Sequence, residues 1–200
     1  MGNGDMKYKD YSFNSESYVS EHNKVLGRID HVALQKAIDM VGDVFLSGRK
    51  IITCGNGGSA STASHYITDW AKMINLATGE KFRGFSLVDN VGLITAYGND
   101  LSYDEVFSGQ CKAFLDKGDL LVAVSGSGNS PNILKAIEEA NNLGAATLGI
   151  LGYDGGRAAT LAQHSFIVPS FDMQICEDIH LMFGHMVMKT FCNNDIRGVL

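Results

Sequence analysis

Residues 50–74, KIITCGNGGSASTASHYITDWAKMI, decide how the rest of the chain is read. The apolar run Lys50 to Cys54 is too short for a helix and reads as a buried strand. Small residues follow, GNGGS at 55–59, and then a helix that buries Ala60, Ala63, Tyr66, Ile67, Trp70 and Met73 at helical spacing. A strand that runs through glycines straight into a helix is half of a strand–helix–strand unit. The glycines allow positive φ and close approach at the strand's end.

The same grammar recurs along the chain. GFSLV (84–88) is a strand and NVGLITAYG (90–98) a helix. LLVAV (120–124) is a strand, followed by SGSGNS (125–130) and a helix over 132–143. ATLGIL (146–151) is a strand, DGGRAATLA (154–162) a loop with a short helix, and SFIV (165–168) a strand. A last helix spans about 173–192. Upstream, VALQKAIDMVGDVFLSG (32–48) sets Val32, Leu34, Ile38, Val41, Val44, Phe45 and Leu46 at helical spacing, and Gly48 ends it. Short strands alternating with helices predict an α/β fold, a parallel sheet with helices on both faces. Pro131 stands at a helix start, where proline is tolerated. The organisation expected is one domain over 1–200, with an N-terminal helical segment at about 14–48 and a core at about 49–192.

Composition narrows the function. The 200 residues are 45% apolar with two prolines, a globular composition that can bury a core. A net charge of −6 speaks against a non-specific nucleic-acid binder. Cys54, Cys111, Cys176 and Cys192 form no C-x-x-C pair and sit in apolar segments, as free thiols in a reducing compartment do. No apolar run is long enough to span a bilayer, and the polar start has no signal-peptide core. These features predict a cytoplasmic protein with no membrane and no nucleic-acid partner.

The chemistry-bearing residues cluster in three places. The turns GNGGS and SGSGNS each leave a strand and open a helix, where free N–H groups and the helix dipole favour anions. Ser125, Ser127 and Ser130 add hydroxyl donors, so SGSGNS reads as a phosphate grip. It is neither a P-loop nor a dinucleotide turn. His65 and Asp69 are four apart and share a helix face. Glu177, Asp178, His180 and His185 lie in the last helix, with Glu177 and His185 eight apart near one face. A histidine with a carboxylate on each of two helices is either a divalent-metal set or an acid–base pair.

CGNGGSASTASH, GND at 98–100, SGSGNS, GYDGG at 152–156 and EDIHLMFGH at 177–185 together resemble the sugar isomerase (SIS) fold and, more narrowly, the phosphoheptose isomerase family. The resemblance runs from about residue 32 to 192. It implies a three-layer sandwich with a five-stranded parallel sheet, and a homotetramer with sites at subunit interfaces. The implied reaction converts sedoheptulose 7-phosphate to D-glycero-D-manno-heptose 7-phosphate, in heptose biosynthesis for lipopolysaccharide or capsule. By motif, Asn56, Gly57, Gly58, Asn99 and Asp100 contact the sugar, and Ser125, Gly126, Ser127 and Ser130 hold the phosphate. His65, Asp69, Glu177 and His185 take the metal-binding positions, with zinc as the expected ion. Asp69 and Glu177 also touch substrate; Asp69 is the expected base and His185 the acid. The family usually has Glu at the position of Asp69 and Gln at that of Glu177. Two other readings are an isomerase of a different phosphosugar and a non-catalytic SIS-domain interaction protein like the DnaA initiator-associating protein.

Overall fold

The computed structural model describes residues 13–193. Its elements in chain order are α1 (Ser15–Leu26), α2 (His31–Leu46), β1 (Ile51–Gly55), α3 (Gly58–Asp69), a π-helical turn (Trp70–Ile74) and α4 (Asn75–Thr78). They continue with β2 (Gly84–Ser86), α5 (Val91–Asp100), a 3-10 turn (Tyr103–Glu105), α6 (Ser108–Phe114), β3 (Leu120–Ser125) and α7 (Pro131–Asn142). The remainder is β4 (Ala146–Leu151), α8 (Ala158–Leu161), β5 (His164–Ile167) and α9 (Met173–Asn193).

The five strands are all parallel, in the order β2-β1-β3-β4-β5. Parallel strands need crossover connections, and the intervening helices supply them on both faces. Alternation along the strands sorts side chains between two cores. Ile51, Leu120, Val122, Val124, Leu148 and Ile150 pack under α2, α3 and α9. Ile52, Cys54, Leu121, Ala123 and Leu151 face α6, α7 and α8. Each fully buried aliphatic side chain contributes about 1.5–3 kcal/mol, so β1 and β3, buried along their whole length, anchor the sheet.

Helix starts follow their capping chemistry. The Asp30 carboxylate accepts from the backbone N–H groups of Val32 and Ala33 at 2.9 and 3.0 Å, and Asn90 accepts from Leu93 at 3.1 Å. Pro131 is the first residue of α7. Two elements depart from the sequence expectation. The segment 101–119, where the sequence shows no helical or strand period, holds the 3-10 turn and α6. α6 is two turns long and buries polar Ser108 and Gln110, so it lacks an apolar stripe. The helix expected to run unbroken to Ile74 widens into a π-turn directly after Asp69. α9 runs from Met173 to Asn193, and the N-terminal segment resolves into α1 and α2.

Candidate active site

In an open parallel sheet, ligands bind beyond the carboxyl ends of the strands, where the strand order reverses. Here that point lies between β1, which connects outward to β2, and β3, which leads the other way to β4 and β5. The two glycine–serine turns leave these two neighbouring strands. They are fastened across the crevice by an amide pair: Asn56 Nδ2 donates to Asn132 Oδ1 and Asn132 Nδ2 donates to Asn56 Oδ1, both at 2.9 Å.

The turn after β3 is a compact cradle. Ser125 Oγ accepts from the N–H of Gly128 at 3.1 Å, and Asn129 Nδ2 donates to the Ser127 carbonyl at 2.9 Å. Gly128 has φ +62, and a Cβ there would strike the Gly155 carbonyl. A Cβ on Gly126 would strike the Met173 sulfur. Ser130 is the N-cap of α7, yet its hydroxyl makes no capping bond. The GYDGG loop supports the cradle from outside: the N–H of Arg157 donates to Asn129 Oδ1 at 3.0 Å, and that of Ala158 to the Gly128 carbonyl at 2.9 Å. Tyr153 in that loop holds a left-handed φ of 55, a strained conformation for a non-glycine residue.

The turn after β1 delivers α3 to the same edge. Gly57 has φ +55, and Gly58 opens the helix. α3 packs along α9. Tyr66 and Trp70 are fully buried and stack at 4.9 Å; the Tyr66 hydroxyl donates to the His180 carbonyl, and Trp70 Nε1 donates to the Gly184 carbonyl at 2.9 Å. A Cβ on Gly184 would collide with the Tyr66 ring, so this glycine sets how closely the helices approach. The close packing brings His65, Asp69 and His185 together. His65 Nε2 lies 3.2 Å from His185 Nε2 and 3.3 Å from Asp69 Oδ2; His185 Nε2 lies 3.6 Å from the same carboxylate oxygen. All three side chains reach solvent, so a ligand can touch them.

Glu177 stands apart from this triad. Its carboxylate rests against Gly58 in the first turn of α3, where a Cβ would collide with it. Gly58 is seven residues, about 10 Å along the axis, from His65. The structure therefore groups three of the four residues of the expected metal set, and Glu177 is not among them. Asn99 and Asp100 close α5 and bond to each other, Asn99 Nδ2 donating to Asp100 Oδ1 at 2.8 Å.

The sequence reading overlooked several residues. Asn132 is 2% exposed, a buried amide just inside a helix start, and such a group must find a partner. Its place two residues after the SGSGNS turn was the available signal. Tyr103, whose hydroxyl donates to Asn56 Oδ1 at 3.1 Å, carried no signal. His180 is fully buried with neither ring nitrogen hydrogen-bonded. Burial pulls its imidazole down to about 4, opposed by the Leu151 carbonyl, which lies near without reaching hydrogen-bond geometry.

Known proteins share this architecture. The SIS domain family model matches residues 17–152. The chain is 37% identical over 162 residues to the phosphoheptose isomerase of Aliarcobacter butzleri, covering 80% of this chain and 84% of that one. It is 37% identical over 170 residues to that of Campylobacter concisus, covering 85% and 87%. Among solved structures, phosphoheptose isomerase from Neisseria gonorrhoeae superposes with a TM-score of 0.81 at 26% identity, covering 90% of this chain and 97% of that one. One from Francisella tularensis gives 0.79 at 25%, covering 91% and 100%. With its sheet order, its paired glycine–serine turns and relatives matched over most of their length, this chain belongs to the phosphoheptose isomerase family of SIS-domain proteins.

Proposed function

We propose that the chain interconverts sedoheptulose 7-phosphate and D-glycero-D-manno-heptose 7-phosphate, supplying heptose for lipopolysaccharide or capsule. The observation that carries this reading is the convergence of His65, Asp69 and His185 across α3 and α9, α3 being the helix that leaves the first of the two glycine–serine turns. The relatives named phosphoheptose isomerase support the substrate.

Aldose–ketose isomerisation moves a proton between C1 and C2 through an enediol, and a second proton between their oxygens. It needs a base at carbon and an acid at oxygen. Asp69 takes the proton from C1 of the ketose and returns one to C2. His185 moves the proton between the oxygens. Ser125, Ser127 and Ser130, with the backbone around Gly126, hold the phosphate and so position the sugar. Asn56, Gly57, Gly58, Asn99, Asp100 and Glu177 complete the sugar's surroundings.

The triad also fits a divalent ion such as zinc. Tetrahedral bonds of 2.0–2.1 Å set ligand atoms about 3.3–3.4 Å apart. The three separations of 3.2, 3.3 and 3.6 Å bracket that value, and in the tautomer that leaves Nε2 unprotonated each imidazole can offer a lone pair beside the Asp69 carboxylate. His65, Asp69 and His185 would hold it, leaving a coordination position for a sugar oxygen. When bound, such an ion supplies Lewis acidity to that oxygen.

The proposal includes a homotetramer in the cytoplasm. α5 and the residue after it leave Val91 67% and Leu101 66% exposed, which suits a face covered by another subunit. Four free cysteines suit a reducing compartment. Among the described residues no helix is long and apolar enough to cross a membrane.

The test is turnover of sedoheptulose 7-phosphate by the purified protein, with metal analysis of the same sample. Formation of the aldose phosphate is expected. No turnover with or without added zinc would overturn the assignment, and turnover of a different ketose phosphate in the same panel would replace the substrate.

A further inference from the structure

We propose that Tyr103 is a positioning residue for sugar phosphate binding, acting through Asn56; this rests on the isomerase reading above. Tyr103 sits in the 3-10 turn that follows α5, and its side chain is largely in solvent at 59% exposure. An exposed tyrosine need not order its hydroxyl, yet this one donates to Asn56 Oδ1 at 3.1 Å, inside the crevice between the two glycine–serine turns.

A carbonyl oxygen has two lone pairs. On Asn56 Oδ1 one takes the Asn132 amide at 2.9 Å and the other takes the Tyr103 hydroxyl. One of the two N–H groups on Asn56 Nδ2 goes to Asn132 Oδ1. Asn56 is thus saturated as an acceptor and keeps one N–H for a ligand oxygen. Without Tyr103 both remaining bonds run to the same partner, and the amide pair can rock about that single contact. With it, the Asn56 amide plane is held from two sides.

The support for Tyr103 is itself rigid. Two residues on, Glu105 pairs with Lys135 of α7 at 2.5 Å and accepts from Ser108 at 2.5 Å. The Lys135 ammonium, and after it the Ser108 hydroxyl, hold the Glu105 carboxyl below the usual carboxylate range. Val106 and Phe107 are buried immediately after. The 3-10 turn is therefore fixed to α7, the helix that begins at the phosphate grip and carries Asn132. Tyr103 joins that fixed body to the turn after β1.

Tyr103→Phe removes one oxygen from a solvent-facing ring, so the fold should survive, with the circular dichroism spectrum and melting temperature unchanged. The loss of a single hydrogen bond to Asn56 should raise KM for sedoheptulose 7-phosphate about three- to tenfold with kcat within about twofold, because a less firmly held Asn56 weakens its bond to substrate and transition state alike. In an Asn56→Ala background the substitution should have no further effect on KM. The Asn56 and Asn132 side-chain amide resonances should shift in Tyr103→Phe protein without ligand, a readout independent of turnover. An inactive wild type would therefore defeat the isomerase reading alone. An unchanged KM, a fall confined to kcat, a KM effect that persists in Asn56→Ala protein, or amide resonances that do not move would each overturn the role of Tyr103.

Discussion

The helices that follow β1 and β2 are built on opposite plans. α3 and its π-turn are locked into the subunit: Tyr66, Trp70 and Ile74 are wholly buried, and two side-chain hydrogen bonds reach the backbone of α9. α5 is similarly rich in apolar residues but fully buries none of them; only Ile94 and Tyr97 pack partly against the core. The helix bearing His65 and Asp69 thus gets its rigidity from its own chain, as side chains that must meet within a few tenths of an ångström require. The helix bearing Asn99 and Asp100 rests on the core only through the partly buried Ile94 and Tyr97, and leaves Val91 at its start 67% exposed.

Four changes test this contrast. The largest effect is expected at the packed helix's polar face: Asp69→Asn should lower kcat about 10²–10⁴-fold and leave the melting temperature within about 2 °C. Near-normal turnover in that variant would remove Asp69 from the chemistry.

Next comes the buried face of α9. Unfolded His180 has the ordinary pKa of about 6.5, whereas in the fold it lies at about 4. Between these values the unfolded chain binds a proton that the native one does not. Stability is therefore full above pH 6.5 and falls as pH drops towards 4, by roughly 3 kcal/mol from this group. Denaturant titrations of His180→Leu across that range should show a slope shallower by that amount. Parallel slopes would show that His180 is not the group responsible.

Gly184→Ala should force the Tyr66 ring off α9 and destabilise by about 2 kcal/mol, lowering the melting temperature by about 4–8 °C. An unchanged melt would mean that the helices have room to part. The smallest effect on the fold is expected on α5 and the residue after it. Val91→Ser with Leu101→Ser, at positions 67% and 66% exposed, should alter the stability of the single chain by less than about 0.5 kcal/mol. Sedimentation should nevertheless report a smaller assembly. An unaltered assembly would place the subunit contacts elsewhere.

The sequence made the strands and most helices legible because parallel strands buried on both faces are continuous apolar runs, and the helices between them carry a 3.6-residue stripe. It failed at α6, which is too short and too polar on its buried side to show one. The spacing of His65 and Asp69 places them on one helix face, and they lie 3.3 Å apart. Joining them to His185 required knowing how α3 crosses α9. That crossing depends on Gly184 against Tyr66, a tertiary contact with no local sequence signature. Glu177 shows the converse. Its spacing from His185 suggests a shared ligand, but Gly58 leaves a hollow its carboxylate fills instead. The Asn56–Asn132–Tyr103 linkage joins residues 47 and 76 apart in sequence and could be read only from the fold.

The π-turn after Asp69 has a meaning for how such a chain changes over generations. It is an extra residue that a helix has absorbed without breaking. An insertion upstream of Asp69 would rotate part of the helix by about 100° and carry His65 or Asp69 off the face they share with His185. Placed downstream, the same insertion leaves that face alone and turns only the last part of the helix. The gene can thus vary in length beyond Asp69 while His65, Asp69 and His185 keep their shared face.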